Sequence, residues 1–159
     1  MAHRIFAYGS LTAAGGAPGT LTGWRHAWNV AMDNSADIPG YKHYVLPDGS
    51  RPPAFVTFLN IERGAGTVDG IVLEVEDLEQ LDARERNYLR VEAEIDGWGT
   101  CWTYVGTAAA RARFERGRLR RTAVVQRDYV DSIAVAIPAP PVPVIALARV
   151  ENPVTIRLP

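Results

Sequence analysis

The 159-residue sequence predicts a mixed α+β domain in which strands outnumber helices. Segments such as Tyr88–Ile95 alternate apolar and polar residues at the two-residue period of a half-buried strand. These segments do not alternate regularly with helical ones, which argues against a doubly wound parallel sheet. With 47% apolar and 22% charged residues, the chain has the length and composition of one globular domain with its own core.

The elements follow in order. Residues 4–8 read as a short buried strand that ends at Gly9, and residues 12–20, rich in glycine and alanine, suit a surface loop. Over residues 21–32, Trp24, Trp28, Val30 and Met32 fall on even positions, as in a half-buried strand. Residues 34–53 contain Pro39-Gly40, Asp48-Gly49 and Pro52-Pro53, with a short strand near residues 41–46. Such a long, turn-rich connection fits a lid over a site and a neutral surface excursion equally well. Residues 54–61 and 67–76 read as a hairpin turning at Glu62-Arg63-Gly64-Ala65-Gly66. Asp77 is a natural N-cap for a short helix running to about Arg86. Strands follow at Tyr88–Ile95 and at residues 102–105, across a turn at Asp96-Gly97. Residues 108–116 have the alanine and arginine content of a solvent-facing helix, and a last helix is expected near residues 128–136. Pro138, Pro140, Pro141 and Pro143 then mark a change of composition. The organisation expected is a domain over residues 1–137 and a proline-rich C-terminal extension over 138–159. That extension either wraps the body or reaches a neighbouring subunit, as the arm of a homo-oligomer.

Charge and cysteine content narrow the partners. A formal charge of −1 gives no overall attraction to nucleic acid or to acidic membranes. The basic run Arg111, Arg113, Arg116, Arg118, Arg120 and Arg121 reads better as a solvated helix face than as an RNA or phosphate site. Cys101 is the lone cysteine, so no internal disulfide forms and a reducing, cytoplasmic setting is expected. No secretory core or membrane-length apolar run is evident. His3, His26 and His43 have no metal-ligand spacing, and the four tryptophans read as core.

Two segments carry chemistry. Phe6-Ala7-Tyr8-Gly9-Ser10-Leu11 is an apolar strand running into glycine and a small hydroxyl residue. Glycine permits backbone angles closed to other residues and close approach of a second molecule, and the following amides can seat a carboxylate. In the helix after Asp77, Leu78, Leu81, Glu85 and Leu89 share one stripe by i+3 and i+4 spacing. A carboxylate on an inward stripe loses hydration and gains basicity, with Asp82 one turn earlier adding like-charge repulsion. Periodicity alone leaves a second reading, which it favours: a helix-end glutamate reaching into water and pairing with an arginine.

Four short motifs in register, Tyr8-Gly9-Ser10-Leu11, Gly70-Ile71-Val72-Leu73-Glu74-Val75, Leu81-Asp82-Ala83-Arg84-Glu85 and Tyr88-Leu89-Arg90-Val91, resemble the γ-glutamylcyclotransferase-like family. This family includes the avirulence-induced proteins and the γ-glutamylamine cyclotransferases. The resemblance spans about residues 4–130 and implies a small mixed β-barrel flanked by short helices, in which the glycine loop and the acidic helix meet at one cavity. It places the catalytic glutamate at Glu85 and the substrate-cradling loop at Tyr8, Gly9, Ser10 and Leu11. A substrate-holding tyrosine falls on Tyr129.

The implied activity is cyclisation of a small γ-glutamyl amide to 5-oxoproline with release of an amine or amino acid. Neither metal nor organic cofactor is required. The sequence departs from the family pattern in passing directly from Ser10 to Leu11, where many members have asparagine, and in placing Arg86 where glycine usually follows the glutamate. Arg86 would either pair with Glu85, lowering its basicity, or hold a substrate carboxylate. With the proline-rich tail, it motivates a rival reading: a non-catalytic module that binds a small anion or scaffolds a partner through the same cavity.

Overall fold

The computed structural model describes residues 2–154, so the extension expected over 138–159 is described as far as Val154, and positions 155–159 lie outside the described residues. The spine is an antiparallel pair much longer than the sequence suggested. Strand β1 (His3–Ala7) leads through a 3-10 turn (Ser10–Ala14) into β2 (Ala17–Asp33), which has 17 residues. After β3 (Lys42–Val45) comes β4 (Phe55–Val75), with 21 residues.

The hairpin expected at residues 62–66 is absent, because β4 runs straight through it. Its ladder with β2 shifts register between the pairs Thr22↔Thr67 and Trp24↔Arg63, so Gly23 alone faces Gly64, Ala65 and Gly66. Gly23 has φ 85° and Gly66 φ 129°, left-handed angles that glycine adopts without strain. The glycines therefore serve a bulge in a continuing ladder. Glycine inside an apolar run marks a turn or a bulge alike. What decides is β2, which offers backbone partners on both sides of the break.

The remaining elements are α1 (Leu78–Arg84), β5 (Tyr88–Ile95), β6 (Gly99–Gly106), α2 (Ala108–Leu119), β7 (Ala123–Gln126), α3 (Arg127–Ser132), β8 (Val144–Ile145) and β9 (Ala148–Glu151). The architecture is mixed α+β, as the sequence predicted. The main sheet has seven strands in the order β5-β6-β1-β4-β7-β8, with β2 paired to β4 off this path. Pairing is antiparallel for β1–β4, β2–β4 and β5–β6, and parallel for β1–β6, β4–β7 and β7–β8.

The barrel is not closed among the described residues. Strand β5 approaches β2 through one backbone bond, from Asp96 N–H to Thr20 O at 2.9 Å, and no ladder joins the two. A cleft lined by Leu21, Thr22, Trp24, Glu92 and Glu94 separates them. Closure needs a continuous stagger of hydrogen bonds around the sheet, and here side chains occupy the seam.

The core lies between β2, β4 and β6 and includes Phe6, Leu21, Trp24, Trp28, Leu59 and Cys101. Helix α2 is only partly solvent-facing. Ala110 and Phe114 are buried, and Arg113 donates from Nε to Ala31 O at 2.7 Å and from Nη2 to Asn87 Oδ1 at 2.9 Å. The tail folds back on the body. Trp28 Nε1 donates to Pro138 O at 2.9 Å, Val125 N to Pro143 O at 2.8 Å and Gln126 Nε2 to Leu147 O at 2.9 Å. Beyond those contacts β9 pairs with β3 as a two-stranded ribbon. No described helix is long and apolar enough to cross a membrane.

Gly70, in the second motif, lies under the end of β1. A Cβ there would fall 2.3 Å from Ala7 O and 2.6 Å from the Phe6 ring. Gly70→Ala must therefore push β1 away, and it is expected to lower unfolding free energy by roughly 1–3 kcal/mol. Denaturant melts check this, and an unchanged midpoint would refute so close an approach.

Candidate active site

The loop after β1 is held by its own turn. Thr12 N–H donates to Gly9 O at 3.0 Å, and the Thr12 hydroxyl donates to the same oxygen at 2.6 Å. That hydroxyl also accepts from Ala134 N–H at 2.8 Å, so buried Thr12 ties the loop to the chain just beyond α3. The amides of Ser10 and Leu11 precede the first bond of the turn and have no partner within it. Gly9 has φ −114°, so its role is not a left-handed backbone. The reason is space: the Tyr129 hydroxyl lies 3.2 Å from where a Cβ would sit.

The acidic helix is fixed at both ends. The Asp77 carboxylate accepts from Gln80 N–H at 3.0 Å, and Leu81 is buried against Ile5 and Tyr104. Asp82 accepts from Arg90 Nε at 2.9 Å and Nη2 at 3.2 Å, and from the Tyr104 hydroxyl at 2.6 Å. The third and fourth motifs thus meet as a two-pronged ion pair that locks α1 onto β5. Arg90 above all holds the Asp82 carboxyl below its ordinary range. Asp82 is committed to this pair and does not act on Glu85 as a repelling charge.

Helix α1 stops at Arg84, and Glu85 is its C-cap with φ −90° and ψ 52°. Its N–H donates to Leu81 O at 2.9 Å, and its carbonyl accepts from Tyr88 N–H at 3.0 Å. The apolar stripe ends there: Leu89, expected to continue it, is 58% exposed on β5. The Glu85 side chain lines a cavity and makes no hydrogen bond or ion pair among the described residues. Burial raises its carboxyl above the ordinary range, opposed by the charges of Lys42 and Arg84. Arg86 does not pair with it, and its guanidinium lies 5.5 Å from the centre of the Tyr41 ring.

Tyr8, Gly9, Ser10, Leu11, Glu85 and Tyr129, the residues picked out in the sequence, all line one cavity of about 670 Å³. The cavity lies at a gap in the sheet. Strands β1 and β7 pair with β4 at residues 71–75 and 55–56, on the edge away from β2. Between them that edge has no strand partner among the described residues, and tyrosines supply the missing bonds. Tyr88 Oη donates to Leu59 O at 2.7 Å, while Leu59 N–H donates to Tyr129 Oη at 3.1 Å. Tyr8 Oη donates to Tyr104 O at 2.6 Å. Burial pushes Tyr8, Tyr88 and Tyr129 upward, so all three serve as neutral phenols.

Sequence reasoning missed the other wall of the cavity. Tyr41, Lys42 and Tyr44 line it from the 34–53 connection, and Arg149 and Glu151 from β9. That connection is neither a loose lid nor a neutral excursion. Buried Asn34 clamps Tyr44 through bonds of 2.7 and 2.9 Å, and Arg51 Nε donates to Asn34 O at 2.6 Å. Asn152 of the tail holds it from the far side, with its N–H on Tyr41 O at 2.8 Å and its Nδ2 on Ile38 O at 3.0 Å. One signal was present in the sequence: Lys42 is the sole lysine of a chain with 17 basic residues, set between two tyrosines.

A desolvated carboxylate and a glycine loop with spare amides thus share one cavity of a small α+β domain. The chain belongs to the γ-glutamyl cyclotransferase, AIG2-like family, whose model matches residues 5–127. The resemblance carried by the four motifs is thus borne out. Strands β8 and β9 lie beyond the matched region.

Among solved structures, the chain is similar to a γ-glutamyl cyclotransferase specific to glutathione from yeast, with 13% identity, a TM-score of 0.47, and 67% of this chain and 69% of that one covered. It is also similar to another γ-glutamyl cyclotransferase, with 15% identity, a TM-score of 0.43 and coverage of 91% and 94%. A third likeness is to a human protein described as uncharacterized, with 15% identity, a TM-score of 0.45 and coverage of 89% and 93%. No curated protein matches the chain.

Burial of Glu85 has a consequence for stability. A carboxyl whose pKa is raised on folding favours the fold below its unfolded pKa, and that contribution is lost as pH rises through the folded pKa. Glu85→Gln is therefore expected to melt higher than wild type at pH 7. The advantage should shrink to nothing below about pH 4, where the unfolded carboxyl is itself protonated. Melting curves from pH 3 to 8 check this, and an advantage independent of pH would rule out desolvation as its cause.

Proposed function

We propose that this chain cyclises a small γ-glutamyl amide to 5-oxoproline, releasing an amine or amino acid, with Glu85 as general base and then general acid. The observation that carries this reading is the unpaired, desolvated Glu85 carboxylate in the same cavity as the Tyr8–Leu11 loop, in a chain of the cyclotransferase family.

A γ-glutamyl group holds its α-amine a few bonds from its own γ-carbonyl, so the nucleophile is intramolecular and the site's task is to fold the substrate. The α-carboxylate takes the amides of Ser10 and Leu11, which have no partner within the turn. Glu85 removes a proton from the α-ammonium, and the freed nitrogen forms a bond to the γ-carbon. The same carboxyl then returns this proton to the departing nitrogen as the original amide C–N bond breaks. It passes the second proton lost by the attacking nitrogen to the released amine, so the lactam leaves neutral and the amine as an ammonium. Its raised pKa suits both steps. Lys42 and Arg84 keep the rise in check, so that the carboxylate form needed to start the cycle is available. The oxyanion of the tetrahedral intermediate is met by donors of the loop, and the neutral hydroxyl of Tyr129 beside Gly9 helps hold the folded substrate. A reducing, cytoplasmic setting accords with the lone, buried Cys101.

The test is 5-oxoproline release from a panel of γ-glutamyl dipeptides and amides, with wild type and Glu85→Gln run in parallel. Glu85→Gln should retain the wild-type circular dichroism and lose activity by about 10²–10⁴-fold. Turnover that survives the substitution would overturn the assignment. A ligand bound equally by both proteins and converted by neither would instead support the non-catalytic anion-binding module.

A further inference from the structure

Lys42 feels the charges of Glu85 and Glu151 but is bonded to neither among the described residues. Its ammonium sits among three aromatic rings, 4.5 Å from the centre of Phe58, 5.4 Å from Tyr41 and 5.6 Å from Tyr44. It makes no hydrogen bond or ion pair among the described residues and lines the cavity with Glu85. The rings supply cation–π attraction, which offsets only part of the lost hydration.

The charges around it do not balance. Lys42 lies opposite Glu151, and Tyr44 opposite Arg149, on the β3–β9 ribbon. Glu151 is already taken, its carboxylate accepting from Arg149 Nε at 2.6 Å. Arg84 and Arg86 line the same cavity. Glu85 and Asp128 line it too, so four cations face three carboxylates, and Lys42, the most buried of the cations, is left open to the cavity.

We infer that Lys42 is a specificity-determining residue that receives a carboxylate on the departing group, so that the preferred substrates are γ-glutamyl-α-amino acids rather than γ-glutamyl amines. This rests on the cyclotransferase reading above. The γ-glutamyl head already has partners in that reading, its ammonium at Glu85 and its α-carboxylate at the Ser10 and Leu11 amides. A cation on a separate wall is left for the other end of the molecule. Burial above all, with Arg149 adding to it, lowers the Lys42 ammonium to about 8 against the opposing pull of Glu85 and Glu151, so the nearby carboxylates do not make up for its lost hydration. Two features fix it in place: β9, which lies beyond the family-matched region, and the Asn34 clamp on Tyr44. The recognition wall is thus built partly from this chain's own tail.

The experiment compares γ-glutamyl-alanine with γ-glutamyl-ethylamide, which differ only in the carboxylate of the leaving group. Wild type should favour the alanine compound by tenfold or more in kcat/KM. Lys42→Met should bring that ratio close to one, mainly through KM, and Lys42→Arg should restore part of it. A wild-type ratio near one, or a ratio that Lys42→Met leaves intact, overturns the inference. If turnover is still abolished by Glu85→Gln, the cyclotransferase reading stands in that case.

A second readout needs no turnover. As the sole lysine, Lys42 can be followed by mass spectrometry during acetylation with an amine-reactive reagent. In Glu85→Gln, γ-glutamyl-alanine should slow its acetylation severalfold and the ethylamide should not. Protection by the alanine compound with no turnover in wild type would uphold the carboxylate contact and sink the cyclisation. Equal protection by both ligands, or by neither, counts against the contact.

Discussion

Strand β4 has to satisfy three partners at once, and the site exists because it cannot be fully covered. One edge is committed to β2 along most of its length, and the other meets β7 at one end and β1 at the other. Backbone groups on the stretch between still need partners, since a buried amide or carbonyl left unpaired costs about as much as a lost hydrogen bond. Tyr88 and Tyr129 answer that need at Leu59. The gap thereby becomes a lined cavity, with the end of β1 at one side and α3 at another. The glycine loop, the acidic helix and Tyr129 converge because each follows an element that this strand positions.

Within the cavity, desolvation and charge act against each other. Burial lifts Glu85 toward the basicity of a useful proton acceptor, and the nearby cations Lys42 and Arg84 pull it back. Asp82 and Arg90, close in sequence to Glu85, are spent on each other and hold the helix in place. The cavity-facing carboxylate and the ion pair that holds the helix are thus separated within nine residues of chain, by which wall each side chain faces.

The tail alters the meaning of the fold. Its prolines exclude it from helices, but they leave short extended stretches able to pair at an edge. One of these, β9, completes a ribbon with β3, and through Asn152 it pins the connection that carries Lys42. A segment that brings no motif of its own thereby contributes a cavity wall and sets the position of the one lysine.

Much was legible in the sequence. The mixed α+β class, the cap at Asp77, strand Tyr88–Ile95 and the four motifs that carry the family are properties of local pattern, fixed by side-chain period and by the chemistry of short segments. What tertiary structure decided were questions of partnership. Whether Gly64 and Gly66 made a turn or a bulge depended on β2 running alongside. Whether Glu85 faced water or the cavity depended on the helix ending one residue before it. Arg86 stacking on Tyr41, and Lys42 standing among three rings, depended on a connection that only Asn34, Arg51 and the tail hold in place. A sequence states what each segment can form by itself. Which of its polar groups stay unpaired, and so remain for chemistry, is settled only when distant segments have taken their partners.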